Sequence, residues 1–132
     1  MSSVPETVIL DASALVEALI GGRLGTAVRA RLLGCDLHAP AHLDAGVLSA
    51  LGRLHRAGKL EAATVAGLLK RLAEAPVARH AVADLLSGAW AMRDQVRLVD
   101  ALYLELASSL GATVVSTDGR LARASAEVEL IS

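Results

Sequence analysis

The chain has 132 residues, of which 54% are hydrophobic, with one Cys, one Trp, one Tyr, no Phe and a formal net charge of −1 at pH 7. That length suits one domain with a buried core, and a composition dominated by Ala, Leu and Val excludes a disordered chain. The scarcity of aromatic rings excludes the stacking platforms on which many modules hold single-stranded bases, and the near-neutral charge gives no global pull on a polyanion.

Residues 7–10 (TVIL) form a short β-rich apolar run that ends at Asp11 and gives way to ASALVEALI, apolar at helical spacing. A strand running into a helix is expected. Gly21 and Gly22 break the pattern, and residues 23–33 resume it with Leu24, Val28 and Leu32 on one stripe, closed by Gly34. DLHA (36–39) reads as a short strand before Pro40, and the next helix carries Asp44 in its early turns. VLSALGRLHRAG continues that helix to Gly58, and residues 61–74 supply the second arm of a helical hairpin. VARHAV after Pro76 is the candidate third strand, and residues 84–94 read as a helix around Leu85, Leu86, Trp90 and Met92. Asp100 opens the helix DALYLELASSLG, closed by Gly111. ATVVSTDG then forms a strand that stops at Thr117, Asp118 and Gly119. A short helix and a strand VEL (128–130) complete the pattern.

Strands alternating with helices imply parallel strands joined by right-handed crossovers. The expected fold is an α/β three-layer sandwich with a central parallel sheet of about four to five short strands, as one domain over residues 1–132. In such sheets ligands bind beyond the carboxyl ends of the strands. Asp11 directly follows the first strand and Asp118 the TVVST strand, while Asp100 begins a helix and Asp44 lies in the opening turns of another. Each taken singly fits a helix cap or a turn. Gathered on one rim, four carboxylates repel unless a cation, a proton or an arginine compensates, and oxygen-only ligands favour Mg²⁺ or Mn²⁺ over zinc.

The segments VILDASAL, APAHLDAGVLSAL and RLVDALYLELASSLGATVVSTDGRLARA, in that order, resemble a PIN domain of the VapC type. The resemblance spans nearly the whole chain and is most specific in D-x-x-Y-x-x-x-A…T-D-x-x-L from Asp100 to Leu121. It implies a PIN-like sandwich whose acidic pocket of Asp11, Asp44, Asp100 and Asp118 binds Mg²⁺, with Ser13 and Thr117 supporting it by hydrogen bonds. The acid at the Asp44 position is more often Glu in this family, which makes a water-mediated role the expectation there. The resemblance also implies a Mg²⁺-dependent endoribonuclease, the toxin of a VapBC pair that inhibits translation and growth. A VapB-like antitoxin would block the pocket, inserting an arginine among the carboxylates, and the toxin would be a homodimer built on helices.

A metal held by these carboxylates would activate water for hydrolysis of an RNA phosphodiester, with one ion or two. Arg53, Arg56 and Lys59 beyond Asp44, and Arg120 and Arg123 beyond Asp118, are the candidates for RNA phosphates, although each group also reads as a solvated helix face. Glu105 neighbours Asp100 by helical spacing and reads as a solvated or ion-pairing residue. Val65, Leu68, Leu69 and Leu72 form a stripe that suits the core or an interface. His38, His42, His55 and His80 lack metal-ligand spacing and Ser13 has no evident His partner, which disfavours zinc chemistry and Ser–His hydrolysis. A phosphatase using Asp11 as nucleophile would want an acid two residues later, where Ser13 stands. A PIN nuclease outside a toxin–antitoxin system and a non-catalytic PIN scaffold are the remaining alternatives. Cys35 is alone and reads as a reduced, buried thiol. With no basic leader at Met1 to Glu6 and no run of about 20 apolar residues, the expectation is an unprocessed, soluble protein acting in the cytoplasm without a membrane.

Overall fold

In this computed structural model, which describes residues 4–132, Thr7–Leu10 forms β1, and Val8, Ile9 and Leu10 in it are buried. Asp11 caps the helix that follows, α1 (Ala12–Ile20), and a break at Gly21 (φ 93°) turns the chain into α2 (Gly22–Leu32). β2 (Asp36–Pro40) leads into α3 (Leu43–Arg56) and α4 (Ala62–Glu74), the expected hairpin, and then into β3 (Val77–His80). Where a single helix was expected over residues 84–94, a 3-10 turn (Ala83–Leu85) precedes a six-residue helix, α5 (Leu86–Ala91). The apolar residues there do not share one stripe: Leu85 and Ala89 are buried while Leu86 and Trp90 are exposed, so the packing supports only a short helix. α6 (Leu98–Leu110), β4 (Thr113–Ser116), α7 (Gly119–Ala124) and β5 (Val128–Leu130) complete the chain.

The five strands make one parallel sheet in the order β3-β2-β1-β4-β5, with Val8 opposite Leu37 and Ile9 opposite Val114. From β1 the chain winds outward through β2 to β3, then crosses back over β1 to lay down β4 and β5. Right-handed crossovers therefore put the helices of the first half on one face and those of the second half on the other. The packing agrees: α1 lies on α2 and α3 and α3 on α4, whereas α6 packs on α5 and on β1, β2 and β4. α6 is buried along most of its length, from Ala101 to Leu104 and again at Leu106 and Ala107. The stripe left open between core and interface is core, because Leu68 and Leu72 are buried and Val65 and Leu69 pack against them. The reversal of winding falls between β1 and β4, and their carboxyl ends open the crevice where such folds place ligands.

Among the described residues no helix is long and apolar enough to cross a membrane. Of the N-terminal residues examined for a leader, Met1 to Ser3 lie outside the described residues.

Candidate active site

Asp11 leaves β1 at that crevice as the N-cap of α1, only 5% exposed. Its Oδ1 accepts the Ala14 N–H (2.9 Å) and the Ser13 hydroxyl (2.8 Å), and its Oδ2 accepts the Ser116 hydroxyl (2.6 Å). Each serine has one hydroxyl proton and directs it to Asp11, so the 3.2 Å approach of Ser13 Oγ to Ser116 Oγ carries no hydrogen of its own. Both serines also accept from the β4 side, Ser13 from the Thr117 N–H (3.0 Å) and Ser116 from the Asp118 N–H (2.9 Å). The switch point is thus stitched across two strand ends by one buried carboxylate and two hydroxyls. Burial pushes the Asp11 carboxyl above its ordinary range; its three hydrogen bonds oppose this and the nearby Asp118 charge adds to it.

Asp118 caps α7 by accepting the Arg120 N–H at 2.9 Å, with the Arg120 Nε at 3.6 Å. Asp100 stands in the first turn of α6, where Arg97 Nε donates to its Oδ2 at 2.8 Å. Beneath them the buried Tyr103 ring packs on His42, ring centres 4.8 Å apart. Burial and then the charge of Asp11 hold the Tyr103 phenol in its neutral form. His42 Nε2 donates to the carbonyl of Val99 (2.8 Å), tying the start of α3 to the residue before Asp100. Asp11, Ser13, His42, Arg97, Val99, Asp100, Tyr103, Asp118 and Arg120 line an open cavity of about 870 Å³, with Ser116 buried behind it.

Asp11, Asp100, Asp118, Ser13 and Thr117 all line that cavity, but Asp44 does not. At 100° per residue, the cavity-facing positions of α3, among them His42, Gly46, Ser49 and Arg53, lie on the side of the helix opposite Asp44. Arg79 holds the Asp44 carboxylate by two bonds instead, of 3.0 and 3.3 Å. Three of the four expected acids therefore share the rim, and Glu17 of α1, which was not anticipated, lines the same cavity. Thr117 takes part through its backbone N–H, and the hydroxyl that reaches Asp11 from β4 is that of Ser116, which sequence reasoning passed over. The run TVVS offers a hydroxyl at the carboxyl edge of a central strand, with that of Thr117 beside it as an equal candidate. Of the basic candidates, Arg53 and Arg120 line the cavity, whereas Arg56, Lys59 and Arg123 are exposed away from it. Arg97, also on the cavity wall, was not anticipated. Glu105 points elsewhere, its carboxylate against the Cα of Gly88 beside a second, smaller cavity.

Among the described residues, no three Asp, Glu, His or Cys side chains converge as a ready-made metal cage. Mg²⁺ does not require one, since it keeps several waters and binds through one or two carboxylates. Asp11, Asp100 and Asp118, lining one open cavity, fit that mode. Asp11 Oδ2 accepts one hydrogen bond and keeps a lone pair, and among the described residues Asp100 Oδ1 and Asp118 Oδ2 accept none.

The profile of the PIN domain matches residues 8–127. Ribonuclease VapC3 of Mycobacterium tuberculosis is 53% identical over 124 residues, covering 93% of this chain and 90% of that protein. The chain belongs to the PIN-domain family, among the VapC-type proteins. Ribonuclease VapC12 of the same organism is 32% identical over 95% of this chain and 99% of its own length. Two solved structures share the PIN fold at low identity. PAE2754 from Pyrobaculum aerophilum superposes with a TM-score of 0.69 at 21% identity, over 93% of this chain and 82% of that one. VapC20 of M. tuberculosis, described as a sarcin–ricin loop cleaving toxin, superposes with a TM-score of 0.64 at 17% identity, over 89% and 94%. The five-stranded parallel sheet and its flanking helices are the parallel sandwich expected from the residue pattern and the PIN architecture that the resemblance implied.

Proposed function

We propose that this PIN domain is a metal-dependent endoribonuclease, the toxin of a VapBC pair, hydrolysing RNA phosphodiester bonds and so arresting translation and growth. The observation that carries the reading is the placement of Asp11, Asp100 and Asp118 on one cavity at the sheet's switch point, with Asp11 held by two serine hydroxyls. These three aspartates would hold Mg²⁺, or Mn²⁺ in its place. Such an ion supplies a water of lowered pKa and neutralises charge that develops on the phosphate. The protein's own part is orientation. Ser13 and Ser116 fix the Asp11 lone pairs, and the His42 bond to Val99 fixes the turn that presents Asp100. Arg53 and Arg120 on the same wall reach for the phosphates flanking the cut, since a guanidinium presents its donors as a fork matched to phosphate oxygens.

The chain works as one domain, in the cytoplasm, as a homodimer built on its helices. A VapB-like antitoxin covers the cavity, placing an arginine against the carboxylates and burying the exposed Val99 on its lip. The test is cleavage of a total-RNA pool by the purified chain with Mg²⁺, beside Asp11→Asn, Asp100→Asn and an EDTA control. Cleavage abolished by either substitution and by EDTA supports the reading; a folded wild type that cuts no RNA and binds no Mg²⁺ overturns it.

A further inference from the structure

Two arginines in this protein are paired to aspartates in opposite ways. Arg79 is 22% exposed and grips Asp44 twice while its remaining donors take the carbonyls of Leu72, Ala75 and Val77. That guanidinium is saturated and has nowhere else to go. Arg97 is 61% exposed and holds Asp100 through Nε alone; among the described residues its two terminal nitrogens make no hydrogen bond. Its backbone is pinned as the N-cap of α6, where its carbonyl accepts the N–H groups of Asp100 and Ala101 at 3.0 and 2.9 Å. The side chain therefore swings from a fixed anchor on the cavity wall.

The position is chemically odd. Helix N-caps favour short side chains that accept from the first turn, and here the cap carries none of those bonds but sends a cation forward onto an acid of the site. Asp118 lies near enough for its charge also to favour the Arg97 cation, although the Asp100 bond acts most strongly. Arg97 thus neutralises part of an acidic wall that would otherwise repel itself and attract a divalent ion.

We propose that Arg97 is an internal counter-ion that competes with a divalent cation for Asp100 and, once displaced, turns its guanidinium to a phosphate of the bound RNA. The inference rests on the metal-nuclease reading above. An exposed ion pair is weak, so a doubly charged ion displaces it readily and the competition is mild: about two- to fivefold in metal affinity. The freed fork then stands on the same wall as Arg53 and Arg120, adding one phosphate contact only after metal is bound.

The full chain without RNA is titrated with Mn²⁺, comparing wild type, Arg97→Gln and Arg97→Lys, with thermal melts to verify folding. Arg97→Gln should tighten Mn²⁺ binding about two- to fivefold, while Arg97→Lys, which keeps the charge, stays near wild type. Loss of a merely structural residue would not raise affinity. Binding of a phosphorothioate RNA that resists cleavage is then measured against salt in Mn²⁺, where Arg97→Gln should reduce the logarithmic salt slope by about one. Unchanged or weaker Mn²⁺ affinity in Arg97→Gln, or an unchanged salt slope, overturns the role of Arg97 and leaves the nuclease reading intact. A folded wild type that binds no Mn²⁺ overturns both.

Discussion

The carboxylate of Asp44 and the guanidinium of Arg79 meet at 3.0 and 3.3 Å on the side of α3 turned away from the acidic cavity. Arg79 also donates to the carbonyls of Leu72 and Ala75 at the end of α4, each of which already accepts one backbone N–H, from Ala75 at 3.1 Å and from Val77 at 2.8 Å. Asp44 thereby locks α3 to the α4–β3 corner. Asp44→Asn is expected to lower stability by about 1 kcal/mol, the scale of a half-exposed ion pair, and to leave Mn²⁺ affinity unchanged. Arg79→Ala, which also removes the guanidinium's bonds to three backbone carbonyls, should lose about 2–3 kcal/mol. Denaturant melts and a metal titration check both, and weakened Mn²⁺ binding in Asp44→Asn would return this acid to the site.

Ser116 joins Asp11 to Asp118 by donating to one and accepting from the backbone of the other. Ser116→Ala leaves a buried carboxylate oxygen and a partly buried N–H each short of a partner, which should cost about 1–3 kcal/mol. RNA cleavage should fall at least about tenfold, because a misplacement of roughly 1 Å at a reacting centre has larger effects than that. Near-wild-type cleavage in this variant would show that Asp11 is positioned by Ser13 and the helix cap alone.

The raised Asp11 carboxyl pKa makes a stability prediction of definite sign. A carboxyl whose folded value exceeds its unfolded value of about 3.9 binds more protons in the folded state, so stability declines as pH climbs from there through the folded value. Asn in this position still caps α1 through its carbonyl oxygen, and its amide can donate to Ser116 Oγ. Asp11→Asn without divalent metal should therefore melt above wild type near neutral pH, with the gap closing toward pH 4. A gap that is constant with pH would contradict the burial argument.

A Cβ built on Gly25 falls 2.2 Å from the Glu17 carbonyl oxygen, because α2 crosses the end of α1 backbone to backbone. Gly25→Ala is expected to destabilise by about 1–3 kcal/mol by forcing the two helices apart, without altering Mn²⁺ affinity of the folded fraction. Equilibrium unfolding in urea measures it, and a neutral result would mean that this helix pair shifts freely.

The strand–helix alternation, the parallel sheet and the strand-end positions of Asp11 and Asp118 were legible in the order of residues, because periodicity and punctuation are local and a parallel sheet puts its ligand edge at a known end. Family resemblance pointed to the same acids. The facing of Asp44 was not legible, because a helix near a rim can turn either of two sides to it. The rotation of α3 follows from burying Leu43, Val47 and Leu51, and that places Asp44 beside β3 and Arg79, 35 residues later. Nor could the chain order distinguish Thr117 from Ser116 at the end of β4, or Arg97 from the other exposed cations. Those choices depend on distances between segments about 100 residues apart, such as Ser13 and Ser116, and only the closed sheet brings such atoms within hydrogen-bonding reach.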